Sequence, residues 1–169
     1  CGGSCAHICK EDVVPPVVTF ARALLGAQGR TDIIAYVENP NPSASARAAH
    51  YTVEMFNANR ELLGTREGIV DLPALAKVPI FIPAAYQGTD TVAQAFLSFD
   101  TALLVFHPDR TKYFPPVISD VIVSGEYSAP RITALATNPS VTPLKNVNVI
   151  VTVFDEEGIV IAASKTLVA

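Results

Sequence analysis

The side chains most capable of chemistry are those of three cysteines, Cys1, Cys5 and Cys9, all in the opening stretch CGGSCAHIC of a 169-residue chain. No cysteine follows them in the sequence. Cysteines clustered in a glycine-containing head favour a small disulfide knot formed in an oxidising compartment. Because their number is odd, at least one must pair upstream, pair with another chain, carry a modification or remain a thiol. These three residues are the disulfide candidates, and they predict an extracellular or cell-surface location.

Two other chemistries concern the same head. Zinc accepts Cys and His ligands, but the spacing around His7 has no Cys-x-x-Cys pair and no second cluster follows it. A lipid on Cys1, followed by small residues as in lipoproteins, would anchor a mature chain to a membrane. We expect membrane attachment only through such an anchor or through segments outside this sequence, because apolar runs such as 102–106 are too short to cross a bilayer.

No constellation for catalysis is visible elsewhere. His7, His50 and His107 fall in three different segments, and the sequence has no phosphate-binding loop, nucleophile elbow or calcium-loop spacing. The net charge of −4 disfavours a nucleic-acid partner. We expect no enzyme activity, no cofactor and no metal site.

The segments that would position any site read as short β-strands separated by turns. Half of the residues are hydrophobic, and 13 prolines and nine glycines interrupt the apolar runs. Clusters such as NPNPSAS and NANR favour turns, because Pro, Gly and Asn break strands. In 50–56 and 132–137 the side chains alternate with period two, yet neither face is strictly polar. The pattern predicts an all-β protein of antiparallel sandwiches, with these strands covered on more than one side.

Two stretches of the sequence match each other. Asn39-Pro40 matches Asn138-Pro139 at an offset of 99, and Phe56 matches Phe154 at an offset of 98. A polar turn follows each Phe, and residues 155–158 suit a type I turn with Gly in the left-handed conformation. A proline pair, 15–16 or 115–116, precedes each copy. We predict a Cys-rich segment at 1–12, a first sandwich at 13–107, a Pro-containing linker at 108–116 and a second, partial sandwich at 117–169.

The strand-turn-strand motif carries a family resemblance. NVNVIVTVFDEEGIVIAASKTLV (146–168), and more loosely AAHYTVEMFNANRELLGTREGIV (48–70), which lacks the turn Gly, resemble FxLyD-type and related immunoglobulin-like β-sandwich domains of bacterial surface proteins. The Cys-Gly-Gly-x-Cys head is similar to segments that precede such domains in bacterial envelope proteins. The resemblance implies two tandem immunoglobulin-like sandwiches in a non-enzymatic, extracytoplasmic module, and it implies no catalytic residue.

The second copy is shorter than the first. Residues 71–106 of copy one have no counterpart in copy two, so copy two lacks its C-terminal strands. An incomplete sandwich leaves an open edge, and we take Val160, Leu167 and Val168 as the candidate strand-exchange edge. Three explanations stay open: a truncated sequence, a strand donated by a neighbouring chain, or a smaller domain that packs on copy one. Residues 10–20 are the candidate donor, unless they form the first strand of copy one.

These observations predict a structural protein of the cell surface or a pilus-like filament. Its subunits would assemble by β-strand complementation with copies of the same chain or with other surface proteins. The alternative is a surface-anchored ligand- or carbohydrate-binding sandwich. That alternative expects exposed aromatic residues on one face, and the chain has no Trp.

Overall fold

The computed structural model describes residues 8, 12–26, 29–109, 115–125 and 130–168. These residues form antiparallel β-sheets and no α-helix, which confirms the predicted all-β class. In the same residues, no helix is long and apolar enough to cross a membrane. The strands are β1 (Val17–Leu25), β2 (Thr31–Glu38), β3 (Ala44–Phe56), β4 (Leu62–Leu72), β5 (Lys77–Tyr86), β6 (Gln94–Phe99), β7 (Phe106–Pro108), β8 (Val117–Ser124), β9 (Arg131–Thr137), β10 (Val147–Phe154) and β11 (Val160–Val168).

Two sheets built from β1 to β7 face each other across an apolar core. One has the strand order β1-β2-β5, and the other has the order β4-β3-β6 with β7 also paired to β3. Alternate side chains of each strand point between the sheets, as the period of two requires. Ile33 and Val37 of β2 join Val53 and Met55 of β3 in this core, and all four are fully buried.

A buried asparagine holds the corner where β2 ends. Asn39 is fully buried, and its Nδ2 donates to the carbonyl oxygens of Ala44 at 2.8 Å, Leu72 at 3.1 Å and Pro73 at 2.9 Å. Its Oδ1 accepts from the Asn41 backbone N–H at 3.1 Å and from Asn41 Nδ2 at 2.8 Å. The Asn-Pro dipeptide, seen in the sequence as a strand end, therefore also ties β3 to the end of β4.

The N-terminal segment belongs to this sandwich. Val14 donates its N–H to Asn41 Oδ1 at 2.9 Å and accepts from Asn41 Nδ2 at 2.8 Å. Residues 17–25 form β1, which pairs antiparallel with β2. Of the two roles left open for residues 10–20, residues 17–20 take the role of first strand.

A hairpin from the C-terminal part of the chain, β10–β11, covers the outer face of the β1-β2-β5 sheet. Val160 is buried with Leu24 and Ile34 in a second apolar cluster. Tyr36 Oη and Thr152 Oγ1 lie 2.9 Å apart and share a hydrogen bond. Because β2 is covered on both faces, every residue from Thr31 to Ala35 is buried.

The β8–β9 hairpin is exposed on both faces. Val117 pairs with Thr137 and Ser124 with Arg131, and a bulge lies at Asp120, whose φ is 51°. All eight residues of β8 are exposed, and β9 is exposed at every position except Ile132. The expectation that residues 132–137 are covered on more than one side is therefore wrong. An isolated two-stranded hairpin in water is marginally stable at best.

The contacts divide the chain into two compact units. One contains residues 1–110 and 149–166, and the other contains residues 111–148 and 167–169. Most of the β10–β11 hairpin thus falls in the same unit as β1 to β7. The division of the chain at 108–116 into two sandwiches stays a prediction.

Candidate functional site: the unprotected sheet edges

One side of the sandwich formed by β1 to β7 ends in two strand edges with a cavity between them. In the described residues β1 pairs with β2 alone and β6 with β3 alone, so each strand keeps one unpaired edge. The cavity has a volume of about 580 Å³. It is lined by Ala21, Arg22, Ala23, Leu24, Leu25, Ala93, Gln94, Ala95, Phe96, Val160 and Ile161.

Small side chains make the backbone of this cavity accessible. Ala21 and Ala23 of β1, together with Ala93 and Ala95 at β6, contribute only a methyl group each to the lining. Unpaired N–H and C=O groups of an edge strand are a template for pairing with another strand. The arrangement can therefore bind an extended peptide through main-chain hydrogen bonds, which is the chemistry of β-augmentation.

The opposite side of the sandwich is protected against such pairing. β5 carries Pro79 and Pro83, and proline has no N–H to donate to a ladder. β4 carries Arg66, Glu67 and Asp71, and charges on an edge oppose strand addition. β6 has neither charge nor proline, and β1 has no proline and a single charged residue. The sandwich thus leaves one side open to strand pairing and blocks the other.

Arg22 is the one charged residue of β1. Its side chain lies on the face that β11 covers, where Nη1 donates to the carbonyl oxygen of Val160 at 3.4 Å. That distance is long for a hydrogen bond, and a guanidinium group offers five N–H donors. Arg22 is also exposed, so it has donors available for an acceptor that approaches the edge. Residues 21–25 showed no signal for chemistry in the sequence; the available clue was a nine-residue apolar strand with a single charge.

The structure separates the residues predicted from the sequence. Cys1, Cys5 and Cys9 lie outside the described residues. Val160 is buried in the second apolar cluster, whereas Leu167 and Val168 are exposed near the other end of β11. Strand exchange at this edge stays a prediction.

The turns after Phe56 and Phe154 have the same hydrogen bonds. Asn57 Oδ1 accepts from the N–H groups two and four residues later, both at 3.0 Å. Asp155 Oδ1 accepts from the same two positions at 3.1 and 2.7 Å. The residue three positions later has a positive φ in both turns, 65° at Arg60 and 77° at Gly158. Asp155 to Gly158 thus has Gly in the left-handed conformation, as predicted.

The two Asn-Pro corners also share a contact but differ in burial. Asn138 Oδ1 accepts from Ser140 N–H at 2.9 Å, as Asn39 Oδ1 accepts from Asn41 N–H. Asn138 Nδ2 donates to the carbonyl oxygen of Thr142 at 2.8 Å, in an exposed setting. The corner at Asn138 therefore has the local bonds of the corner at Asn39 without the bonds to a more distant strand.

Other candidate chemistry is sparse in the described ranges. No three His, Cys, Asp or Glu side chains there lie close enough to share a metal ion. Burial raises the pKa of the Tyr51 phenol, whose ring packs edge-on against Phe99 at a centroid distance of 6.5 Å. This pairing lies on β3 and β6 and serves packing.

In a comparison with known proteins, no family model, curated protein or solved structure matches the chain.

Proposed function

We propose that this chain is a non-enzymatic structural module of the cell surface, a filament or surface-layer subunit whose copies associate by β-strand complementation. The observation that carries the proposal is the difference between the two sides of the first sandwich. Pro79, Pro83 and the charges of β4 block strand addition on one side, whereas β1 and β6 leave it open on the other. A protein that gains nothing from strand addition is expected to block both sides.

We further infer that the chain contains two copies of one immunoglobulin-like fold, the second lacking its C-terminal strands. The matching turns at Asn57 and Asp155 and the matching corners at Asn39 and Asn138 support this inference. So does the pairing of β8 with β9, which joins the same positions as the pairing of β1 with β2. In copy one β5 pairs with β2, and the corresponding edge of β9 is unpaired in the described residues.

The extracytoplasmic location rests on Cys1, Cys5 and Cys9. Intact-mass measurement of the native protein with and without reductant tests this location. Reduction of each disulfide raises the mass of the protein by about 2 Da, whereas a lipid raises the mass of the N-terminal peptide by hundreds of daltons. Three reduced, unmodified thiols in the native protein would argue for a cytoplasmic setting and against the envelope.

The experiment for assembly compares two pairs of substitutions of similar character. Leu25→Lys with Phe96→Lys charges the open side, and Leu62→Lys with Ile69→Lys charges the β4 edge; all four native side chains are exposed and apolar. We expect the first pair to abolish association in sedimentation velocity and negative-stain images, and the second pair to leave it unchanged. A wild-type chain that stays monomeric at high concentration, or equal effects of the two pairs, would refute the proposal.

A second candidate function, binding of a carbohydrate or another small ligand, is favoured by one observation. Phe56 and Phe96 form an aromatic pair, with centroids 5.8 Å apart, and Phe96 is exposed beside Glu54, its partner in the β3–β6 register. Exposed aromatic faces with a neighbouring acid suit sugar stacking and hydrogen bonding. Glycan-array binding that Phe96→Ala abolishes would favour this function, and an array without binding would exclude the sugars tested.

A further inference from the structure

We propose that the β1 edge of one chain accepts strand β8 of a second copy, antiparallel, with Asp120 of the second copy opposite Arg22. The inference rests on the proposed function and names its acceptor and donor strands. It concerns residues 22–25 of β1 and residues 117–120 of β8, because the register shift of β1 lies between Val18 and Phe20 and the bulge of β8 begins at Asp120.

Charge selects the donor among the unpaired edges of the described strands. β5, β9 and β11 carry Lys77, Arg131 and Lys165 as their charged residues, and each would place a second cation near Arg22. β6 and β10 carry no charged residue. β4 carries Glu67 and Asp71 but also Arg66, which would again place a cation near Arg22. Asp120 is the only charged residue of β8, which makes β8 the strand that brings only charge of opposite sign. Opposite charges across a strand pair are favourable, and like charges directly opposite are destabilising.

Accessibility also favours β8. All eight of its residues are exposed, and in the described residues it pairs with β9 alone, so one edge is unpaired. Five of its side chains are large apolar groups with exposed fractions between 53% and 60%. Five large exposed apolar side chains on one short strand favour an interaction surface. Covering it would supply the hydrophobic part of the association.

The register places apolar groups together. With Asp120 opposite Arg22 in an antiparallel pair, Ile118 stands opposite Leu24, which belongs to the second apolar cluster with Ile34 and Val160. Ile118 is 53% exposed in the single chain, so this position would extend that cluster across the contact. The described strand pairs β1–β2, β2–β5, β3–β4, β3–β6, β3–β7 and β8–β9 are all antiparallel. Antiparallel pairs are also slightly more stable per residue than parallel ones.

The contact is heterologous, because the accepting and donating strands differ. Each chain would keep one β1 edge and one β8 edge available, so repetition gives an open filament unless the rotation closes a ring. If the β1 edges of two copies paired with each other instead, the product would be a closed dimer, and Asp120 would take no part in the contact.

Charge reversal tests the pair. We expect Arg22→Glu and Asp120→Arg each to weaken association about tenfold, since each places like charges opposite each other. A 1:1 mixture of the two variants should restore association to within about threefold of wild type. In such a mixture, each contact between one variant and the other again has opposite charges at positions 22 and 120. Arg66→Glu and Glu67→Arg on β4 are the matched controls and should have no effect. Circular dichroism of every variant checks that it is folded.

The outcomes separate this inference from the proposed function. If the wild type associates but neither single reversal weakens it, or if the mixture does not recover, the β1–β8 contact is wrong while strand complementation stands. If Leu25→Lys with Phe96→Lys also fails to act, strand complementation at this side is wrong as well. If the wild type does not associate at all, both proposals fail.

Cysteine trapping tests the strand direction independently. Leu25→Cys with Val117→Cys should form an intermolecular disulfide under mild oxidation, because these residues are opposite in the antiparallel register. Leu25→Cys with Val123→Cys, which would be opposite in a parallel pair, should not. Mass spectrometry of the linked peptides distinguishes these bonds from any made by Cys1, Cys5 or Cys9. A crosslink through residue 123 instead of 117 would overturn the proposed register.

Discussion

Replacing Asn39 by Ala should be among the most destabilising single changes in this chain. Nδ2 supplies two hydrogens to the carbonyl oxygens of Ala44, Leu72 and Pro73, and Oδ1 accepts two more from Asn41. The side chain is fully buried, so water cannot reach this site to replace the hydrogen bonds that these four hydrogens make. At about 1 kcal/mol for each lost bond, the free energy of unfolding should fall by about 4 kcal/mol. That is a large share of the roughly 5 to 15 kcal/mol that stabilises a typical domain.

Asn138→Ala is the matched control. Asn138 makes the same local bond to the residue two positions later and one bond to the carbonyl oxygen of Thr142, but both are exposed. Water replaces exposed bonds, so we expect a loss of about 0.5 kcal/mol or less. Asn39→Asp separates the two halves of the interaction, because it keeps Oδ1 and removes the Nδ2 donor.

Urea unfolding, followed by circular dichroism and by the fluorescence of the five tyrosines in a chain without Trp, measures these changes. With a slope of about 2 kcal/mol per molar urea, Asn39→Ala should shift the midpoint by about 2 M. A shift below about 0.5 M for Asn39→Ala, or equal shifts for Asn39→Ala and Asn138→Ala, would refute the argument from burial.

Three further outcomes follow from single positions. Arg60→Gly should raise the stability by about 1 kcal/mol and Gly158→Ala should lower it by about as much, because both positions have positive φ; urea midpoints check the opposite signs. Burial raises the pKa of Tyr51 above 10.0, so the wild-type free energy of unfolding should decrease as the pH rises past that value, where the unfolded phenol ionises first. In urea unfolding measured at a series of alkaline pH values, the free energy of unfolding of Tyr51→Phe should not show the part of this decrease that comes from Tyr51. Val160→Ala should cost about 1 to 3 kcal/mol and speed hydrogen exchange in β11, since its side chain is buried against Leu24 and Ile34; unchanged exchange would show that the hairpin does not depend on that contact.

The strands were predictable because their signal is local. Alternation predicted a strand at 50–56, which is the second half of β3 (Ala44–Phe56), and turn residues predicted a hairpin around Asp155, which is β10–β11. The turn after Phe56 was predicted, but the positive φ at Arg60 was not evident, since a positive φ usually selects Gly. Here the Asn57 side chain bonds the backbone on both sides of Arg60 and holds the turn. Asn39 was recognised as a strand end, but its bonds to Leu72 and Pro73 depend on a strand more than 30 residues away.

The candidate site was less predictable than the fold. Which strands lie at the edge of a sheet depends on pairings between distant segments, such as β2 with β5, and these leave little trace in one sequence. The protective residues themselves are visible, for example Pro79 and Pro83, but they acquire meaning only when β5 is known to be an edge. The absence of such residues from β1 could be noticed only after the strands had been ordered.

The hairpin that covers β2 has a consequence for how the chain is made. Arg22 and Val160 touch across a separation of 138 residues, so the two are released from a ribosome at different times. Protein synthesis adds roughly 5 to 20 residues per second. The outer sheet face around Ile34 therefore stays uncovered for several seconds or longer before the β10–β11 hairpin is synthesised. During that interval the nascent chain presents an apolar sheet face to chaperones and to neighbouring nascent chains. Translation speed through residues 111–148 is therefore expected to influence the yield of soluble protein.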